Sequence, residues 1–294
     1  MNKNLLFGFC AALCLALISC EKENDGKYNP QKKIQKIYYD YDGEKELNEV
    51  WNWDGKKLSS IDFYSGGEIF SSAFYSYDNK KRIVKIEEGT EILDVVYEND
   101  KIKTINKFYD GDLEESFNMI YDNNTLSKIE WVCYDIYKRV HERKLVPLAG
   151  LIFQDYDNLE KAMRIIRSQQ KGDKADTVLL ELTWSDKNVS HIFAYNVDTP
   201  EETLDASFTY DNKINPMKGW ISIWFDEEIG LWDDSYYTYS SYGNVLTAEY
   251  VYKDNGVEDD RYFMNYVYEY KGKYPVKVTF VEDEDYSYTR YYEY

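Results

Sequence analysis

An aromatic residue is followed at once by turn formers in Trp53-Asp54-Gly55, Tyr77-Asp78-Asn79, Tyr97-Glu98-Asn99, Tyr121-Asp122-Asn123 and Trp184-Ser185-Asp186. Apolar residues then stand five and eight places after the ring: Leu58 and Ile61, Ile102 and Ile105, Leu126 and Ile129, Val189 and Ile192. The Tyr77 copy carries one extra residue and gives Ile83 and Ile86. The rings at 53, 77, 97 and 121 are 24, 20 and 24 residues apart, a period typical of stacked supersecondary units. Asp-Gly and Asp-Asn accept the left-handed backbone of tight turns. Each ring therefore ends one strand and each apolar pair begins the next. A second turn separates successive rings: Ser65-Gly66-Gly67, Glu88-Gly89 or Asp110-Gly111-Asp112. A spacing of three between the paired apolar residues breaks a strict two-residue alternation. It places the first of them under the turn, or signals a bulge after it.

These units predict an all-β chain: an antiparallel, repeat-built meander, curved or rolled, with two packed sheets as the alternative. The composition agrees. There are 31 Tyr, 13 Phe and 7 Trp, strand formers with an apolar body and, in Tyr and Trp, a polar edge. Strands are also expected at Ile221–Phe225, Tyr236–Ser240, Val245–Tyr252, Tyr262–Tyr270, Val276–Val281 and Tyr286–Tyr292. The rhythm fails between Tyr121 and Trp184, and this stretch reads as a helical insertion over about 135–176. Within it, Asp157 can cap an amphipathic helix over 158–170 that shows Leu159, Ala162, Met163 and Ile166 on one face, and Gly172 can end it.

The segment Tyr75-Ser76-Tyr77-Asp78-Asn79-Lys80-Lys81-Arg82-Ile83 resembles the YD repeat of Rhs-type proteins, with Asn or Lys where that family usually has Gly. Phe208-Thr209-Tyr210-Asp211-Asn212-Lys213-Ile214-Asn215-Pro216 resembles a segment of Bacteroidetes lipoproteins of unknown function that carry such repeats. The resemblance spans most of 36–294 and implies a β-hairpin repeat domain. It brings no chemistry with it.

The N-terminus gives an address. Lys3 precedes an apolar run from Leu5 to Ile18, the layout of a secretory signal, and the run is too short for an ordinary membrane-spanning helix. Leu17-Ile18-Ser19-Cys20 resembles the lipobox of bacterial lipoproteins. That resemblance implies removal of 1–19, a lipid on Cys20, and an outer-membrane lipoprotein at the cell surface or on the periplasmic face. Glu21-Lys22-Glu23-Asn24-Asp25 resembles the acidic export tag of Bacteroidetes surface lipoproteins, and also reads as a solvated linker. Residues 20–35 are expected to form a lipidated, flexible tether. Cys20 and Cys133 are the cysteines left after processing. Cys133 then has no intrachain disulfide partner, and its apolar surroundings suit a small buried hydrophobe.

A formal charge of −19 argues against nucleic acid and against anionic membrane as partners. His141-Glu142 begins like a zinc protease motif but lacks its second His. His191 lies between apolar neighbours and reads as a hydrogen-bonded structural residue. No nucleophile elbow, phosphate loop or dinucleotide fingerprint is present, so no catalytic residue, metal or cofactor is assigned. With 54 Asp and Glu, a carboxylate pair suited to glycoside hydrolysis cannot be selected from sequence. The densest aromatic and acidic cluster is Trp220, Trp224, Trp232, Tyr236 and Tyr237 with Asp226, Asp233 and Asp234. It is a candidate face for a glycan or a surface protein, the competing reading being cross-strand core packing. Asp176-Thr177-Val178 resembles the O-glycosylation site of Bacteroidetes exported proteins, with Thr177 as acceptor. The functional expectation is a non-enzymatic, lipid-anchored binding protein. A glycan-active enzyme and a structural spacer are the alternatives.

Overall fold

The structure is a computed structural model that describes residues 26–40, 43–134, 175–222, 241–283 and 286–294. The first strands are β1 (Lys36–Asp40), β2 (Lys45–Asp54), β3 (Lys57–Ser65), β4 (Glu68–Tyr77), β5 (Ile83–Glu88) and β6 (Glu91–Glu98). Then come β7 (Lys101–Tyr109), β8 (Asp112–Asp122), β9 (Thr125–Cys133), β10 (Asp176–Ser185) and β11 (Asn188–Asn196). The last are β12 (Thr203–Tyr210), β13 (Val245–Asp254), β14 (Val257–Lys271), β15 (Tyr274–Asp283) and β16 (Tyr286–Glu293). Each strand pairs antiparallel with the strands before and after it, and β1 pairs with β16 from Lys36↔Glu293 to Asp40↔Thr289. The sheet is thus a closed barrel.

Closure corrects the expected architecture. The sheet is neither an open meander nor a two-sheet sandwich, and it has no free edge to guard. No described residue is helical. The helix expected over 158–170 lies outside the described residues, as does most of the insertion at 135–176. Of the strand expected at Ile221–Phe225, Ile221 and Ser222 lie outside any strand. The rest of it, and Tyr236–Ser240, lie outside the described residues.

The repeat works as a hairpin with a bulge. Register slips next to the ring in every copy: Asn52 faces Ser60 but Trp53 faces Leu58, and Ile120 faces Lys128 but Tyr121 faces Leu126. The extra residue is Ser59 in the Trp53 copy and Ser127 in the Tyr121 copy. Their hydroxyls donate to the Asn52 and Ile120 carbonyls across the strand pair, at 2.8 and 3.1 Å. The bulge turns both apolar residues of a copy inward: Leu58, Ile61, Ile83, Ile86, Leu126 and Ile129 are all fully buried. Asn123 and Asn124 take φ of 47° and 73° in the tight turn, where short polar side chains tolerate the left-handed region.

The two faces of the wall differ. Inward positions form one apolar core. Outward positions carry polar ladders. Asn52 donates to Asp62 at 2.8 Å, Ser72 donates to the other Asp62 oxygen at 2.6 Å, Asn118 donates to Glu130 at 3.0 Å, and Lys128 meets Glu181 at 2.6 Å. Exposed apolar side chains such as Phe74, Val96, Phe263 and Val267 are scattered among these groups. At this strand number a bare wall would leave a channel. Here segments 26–35 and 211–222 help fill the barrel: Tyr28, Ile34, Met217, Trp220 and Ile221 are all buried in the core.

Candidate functional site

All the aromatic turns lie at one end of the barrel, called here the ring end. From Tyr77 onward each ring of the repeat reaches back to the preceding copy, while the Trp53 indole donates to the Ile34 carbonyl at 2.7 Å. The Tyr77 hydroxyl donates to the Leu58 carbonyl at 2.8 Å, Tyr97 to Ile83 at 2.5 Å and Tyr121 to Ile102 at 2.8 Å. The Trp184 indole donates to the Leu126 carbonyl at 2.6 Å, so the units on either side of the long insertion are adjacent in space. A cation from the earlier copy sits over the ring of the next: Lys57 over Tyr77 at 5.1 Å, Arg82 over Tyr97 at 4.1 Å and Lys101 over Tyr121 at 4.5 Å. Such contacts favour the cation through the ring quadrupole. Burial pushes the Tyr77 phenol above its ordinary range, so it remains a donor.

The N-terminal segment closes this end. The Gly26 carbonyl accepts from the Ile83 amide at 3.0 Å. Gly26 has φ +70°, and a Cβ there would meet the Tyr97 hydroxyl at 1.9 Å. Tyr28 lies 6.1 Å from Trp51 and 5.8 Å from Trp53, ring centre to ring centre, and its hydroxyl donates to the Pro216 carbonyl at 2.9 Å. The stretch expected to be a tether is therefore part of the folded barrel from Gly26 onward. Burial holds the Tyr28 phenol well above its usual pKa.

Toward the opposite, far end the interior holds charge. Lys107 of β7 is fully buried, with its Nζ 3.4 Å from a Glu91 oxygen. Glu88 accepts a hydrogen bond from the Ser71 hydroxyl. Burial raises the Glu88 carboxyl, and nearby Glu91 adds to that, against the Ser71 hydrogen bond and the Lys107 charge. On another part of the wall Glu49 accepts from the Trp51 indole at 2.6 Å. Burial raises this carboxyl too, opposed by the indole and by Arg290. The Arg290 guanidinium lies 5.0 Å from the Tyr39 ring centre and 5.1 Å from that of Phe280. Sequence reasoning missed this set. Strand parity was the available signal: Lys107 stands two residues after inward Ile105, and Glu49 two before inward Trp51.

Of the residues singled out from sequence, Trp220 is described and is core. It is 6% exposed, its indole donates to the Tyr75 hydroxyl at 2.9 Å, and its ring lies 5.0 Å from Trp51. Trp224, Trp232, Tyr236, Tyr237, Asp226, Asp233 and Asp234 lie outside the described residues, as do Cys20 and His141. Thr177 is half-buried in β10 opposite Val132. Cys133 is buried at the end of β9. His191 projects outward and is bound to Asp205 at 2.6 Å, and Lys253 approaches the other Asp205 oxygen at 3.5 Å. No group of three or more His, Cys, Asp or Glu suited to a metal occurs among the described residues.

No family model matches the chain, and no curated protein matches it. Among solved structures, a porin-like protein from Bacteroides uniformis ATCC 8492 is 13% identical with a TM-score of 0.46, over 90% of this chain and 98% of that one. A porin-like protein from Bacteroides vulgatus ATCC 8482 is 10% identical with a TM-score of 0.35, over 89% and 98%. Likenesses this distant carry no argument about what this chain does. What the barrel can do follows from its own wall and ends.

Proposed function

We propose that this chain is a lipid-tethered outer-membrane protein whose barrel stands in water and acts as a non-catalytic surface binding module. The polarity of the wall carries this reading. A barrel that crosses a bilayer turns an apolar band outward and keeps its polar residues inside. Here the inward positions are mostly apolar, with Lys107, Glu49 and Arg290 among the exceptions, and outward positions hold Asp62, Lys85, Glu87, Lys128, Glu181 and Asp205 between scattered apolar side chains. Each outward Lys at a bilayer midplane would cost about 2–4 kcal/mol. A pore of the kind that the word porin implies needs the opposite arrangement. Attachment then falls to Cys20 and its lipid.

The test is acyl labelling and fractionation of the full chain beside Cys20→Ala. The wild type should take up labelled fatty acid and sediment with membranes, while Cys20→Ala should lose the label and appear in the soluble fraction. A Cys20→Ala protein that stays in membranes after carbonate washing would overturn the reading. Glycan remains the ligand class suggested by the ring-rich stretch at Trp224 and Trp232. Wild type and a Trp224→Ala, Trp232→Ala double variant on a glycan array test that part, and a wild type that binds nothing removes it.

A further inference from the structure

The seam between β1 and β16 has the build of a repeat copy. In the Trp53 copy, Asn52 faces Ser60 and Trp51 faces Ile61. The same places in the Tyr121 copy pair Ile120 with Lys128 and Met119 with Ile129. At the seam Glu293 faces Lys36 and Tyr292 faces Ile37. Tyr294 thus stands at the ring position, Ile34 and Ile37 at the two apolar positions, and Gln35 at the bulge. Ile34 and Ile37 are buried as fully as Leu58 and Ile61, and the Gln35 amide donates to the Glu293 carbonyl at 2.7 Å.

Contacts with the neighbouring copies follow the same rule. The Ile34 carbonyl accepts from the Trp53 indole, as the Leu58 carbonyl accepts from Tyr77. Lys33 lies 5.1 Å from the Trp53 ring centre, and Lys57 lies 5.1 Å from that of Tyr77. On the other side the Tyr294 hydroxyl donates to the Pro275 carbonyl at 2.8 Å. Pro275 follows the Tyr270 ring at the place that Leu58 holds after Trp53.

This copy lacks only its turn. Every other joint of the wall unites strands consecutive in the chain. Residues 33–37 and 291–294 are far apart in sequence, so no turn ties them. A short turn keeps two strands close after their hydrogen bonds break, and closure costs more entropy the longer the chain to be closed. β1, at five residues, is also the shortest strand described. Non-covalent contacts stand in for the turn. The Tyr274 hydroxyl donates to the Gln31 side-chain oxygen at 3.2 Å, and Lys32 lies 4.8 Å from the Tyr274 ring centre and 5.4 Å from that of Tyr294. Lys33, facing the other way, donates to the Gly55 carbonyl.

We infer that the seam is a latch: one copy of the repeat divided between two distant parts of the chain, held shut by Tyr294 and residues 31–34, and the first joint of the wall to part. Parting there uncovers Ile34, Ile37 and the rings around Tyr28, while the hairpins stay tied by their own turns.

Hydrogen exchange of the full chain, read by mass spectrometry, tests the latch. Peptides covering 34–40 and 286–294 should exchange together and ahead of those covering 45–65. A disulfide from Lys36→Cys with Glu293→Cys should slow both seam peptides to the rate of 45–65. A disulfide from Asn52→Cys with Ser60→Cys, the same places in an intact copy, should leave the seam fast. Tyr294→Ala should speed seam exchange by about tenfold, the factor worth one or two hydrogen bonds, whereas Tyr121→Ala should speed its own copy and spare the seam. Seam peptides as protected as 45–65 in the unaltered chain would overturn the latch. So would a seam disulfide that leaves 34–40 fast, because β1 would then be fraying by itself. The unaltered chain and the two disulfides decide the matter even where Tyr294→Ala does not fold.

Discussion

The ring end and the far end belong to the same strands yet are held together differently. At the ring end the Tyr77, Tyr97 and Tyr121 copies repeat one local device: a neutral donor on the ring reaches the carbonyl of the copy before, and that copy returns a cation to the ring face. The bonds join near neighbours and need no distant partner. Toward the far end the tight turns carry glycine with positive φ and no aromatic ring, and the interior takes in ions, with Lys107 beside Glu91 across the β6–β7 hairpin and Glu49 within the influence of the Arg290 charge. Closure of the barrel brings Glu49 and Arg290 together, since β2 and β16 meet only through β1. One end is thus marked by a repeated neutral device, and the interior toward the other by buried ions, of which the Glu49 and Arg290 pair exists only once the whole ring of strands has formed.

The comparison can be broken most forcefully at the ring end by Trp51→Ala. This ring is 2% exposed and packs against Tyr28, Trp53 and Trp220. Its removal should cost about 3–5 kcal/mol, read as a fall in the denaturant midpoint with unchanged slope. The far-end counterpart is Lys107→Met. Deleting a buried charge leaves its acidic neighbours uncompensated, and a loss of about 3 kcal/mol is expected by chemical denaturation. If Lys107→Met were neutral, the far-end ions would not be cohesive and the contrast between the ends would weaken. Tyr77→Phe removes one ring-to-carbonyl bond and should cost about 1 kcal/mol. A similar cost from Tyr121→Phe would show that the copies contribute alike.

The smallest expected effect concerns pH. Glu88 is raised above the ordinary carboxylate range in the folded state by burial. Above that raised value the folded protein bears the cost of a buried negative charge. As pH falls through it, the folded carboxyl takes up a proton before the unfolded one does, and the cost disappears. Glu88→Gln should therefore stabilise at pH 8, by less than about 2 °C in Tm, and the gain should vanish near pH 4. A gain that grew on acidification would reverse the assigned sign.

Much of the wall was legible in the sequence because its rules are local. The aromatic turn, the hairpin and the bulge all follow from residues within nine positions of each ring, and Leu58 and Ile61 face inward as that spacing requires. Closure was not legible. It joins residues 36–40 to 289–293, and neither strand announces its partner. Trp220 stood out as a ring in an acidic neighbourhood, yet its partners Tyr75 and Trp51 lie far away in sequence, so its burial follows from the fold alone.

The central claim is that the outer wall faces water. Spin labels at Thr104→Cys, Thr247→Cys and Thr279→Cys lie on outward positions of β7, β13 and β15. In vesicles bearing the lipidated full chain, all three should collide freely with a water-soluble nickel chelate and little with oxygen dissolved in the bilayer. Strong oxygen accessibility with exclusion of the chelate at these sites would mean that the wall is embedded in lipid, and would contradict the account.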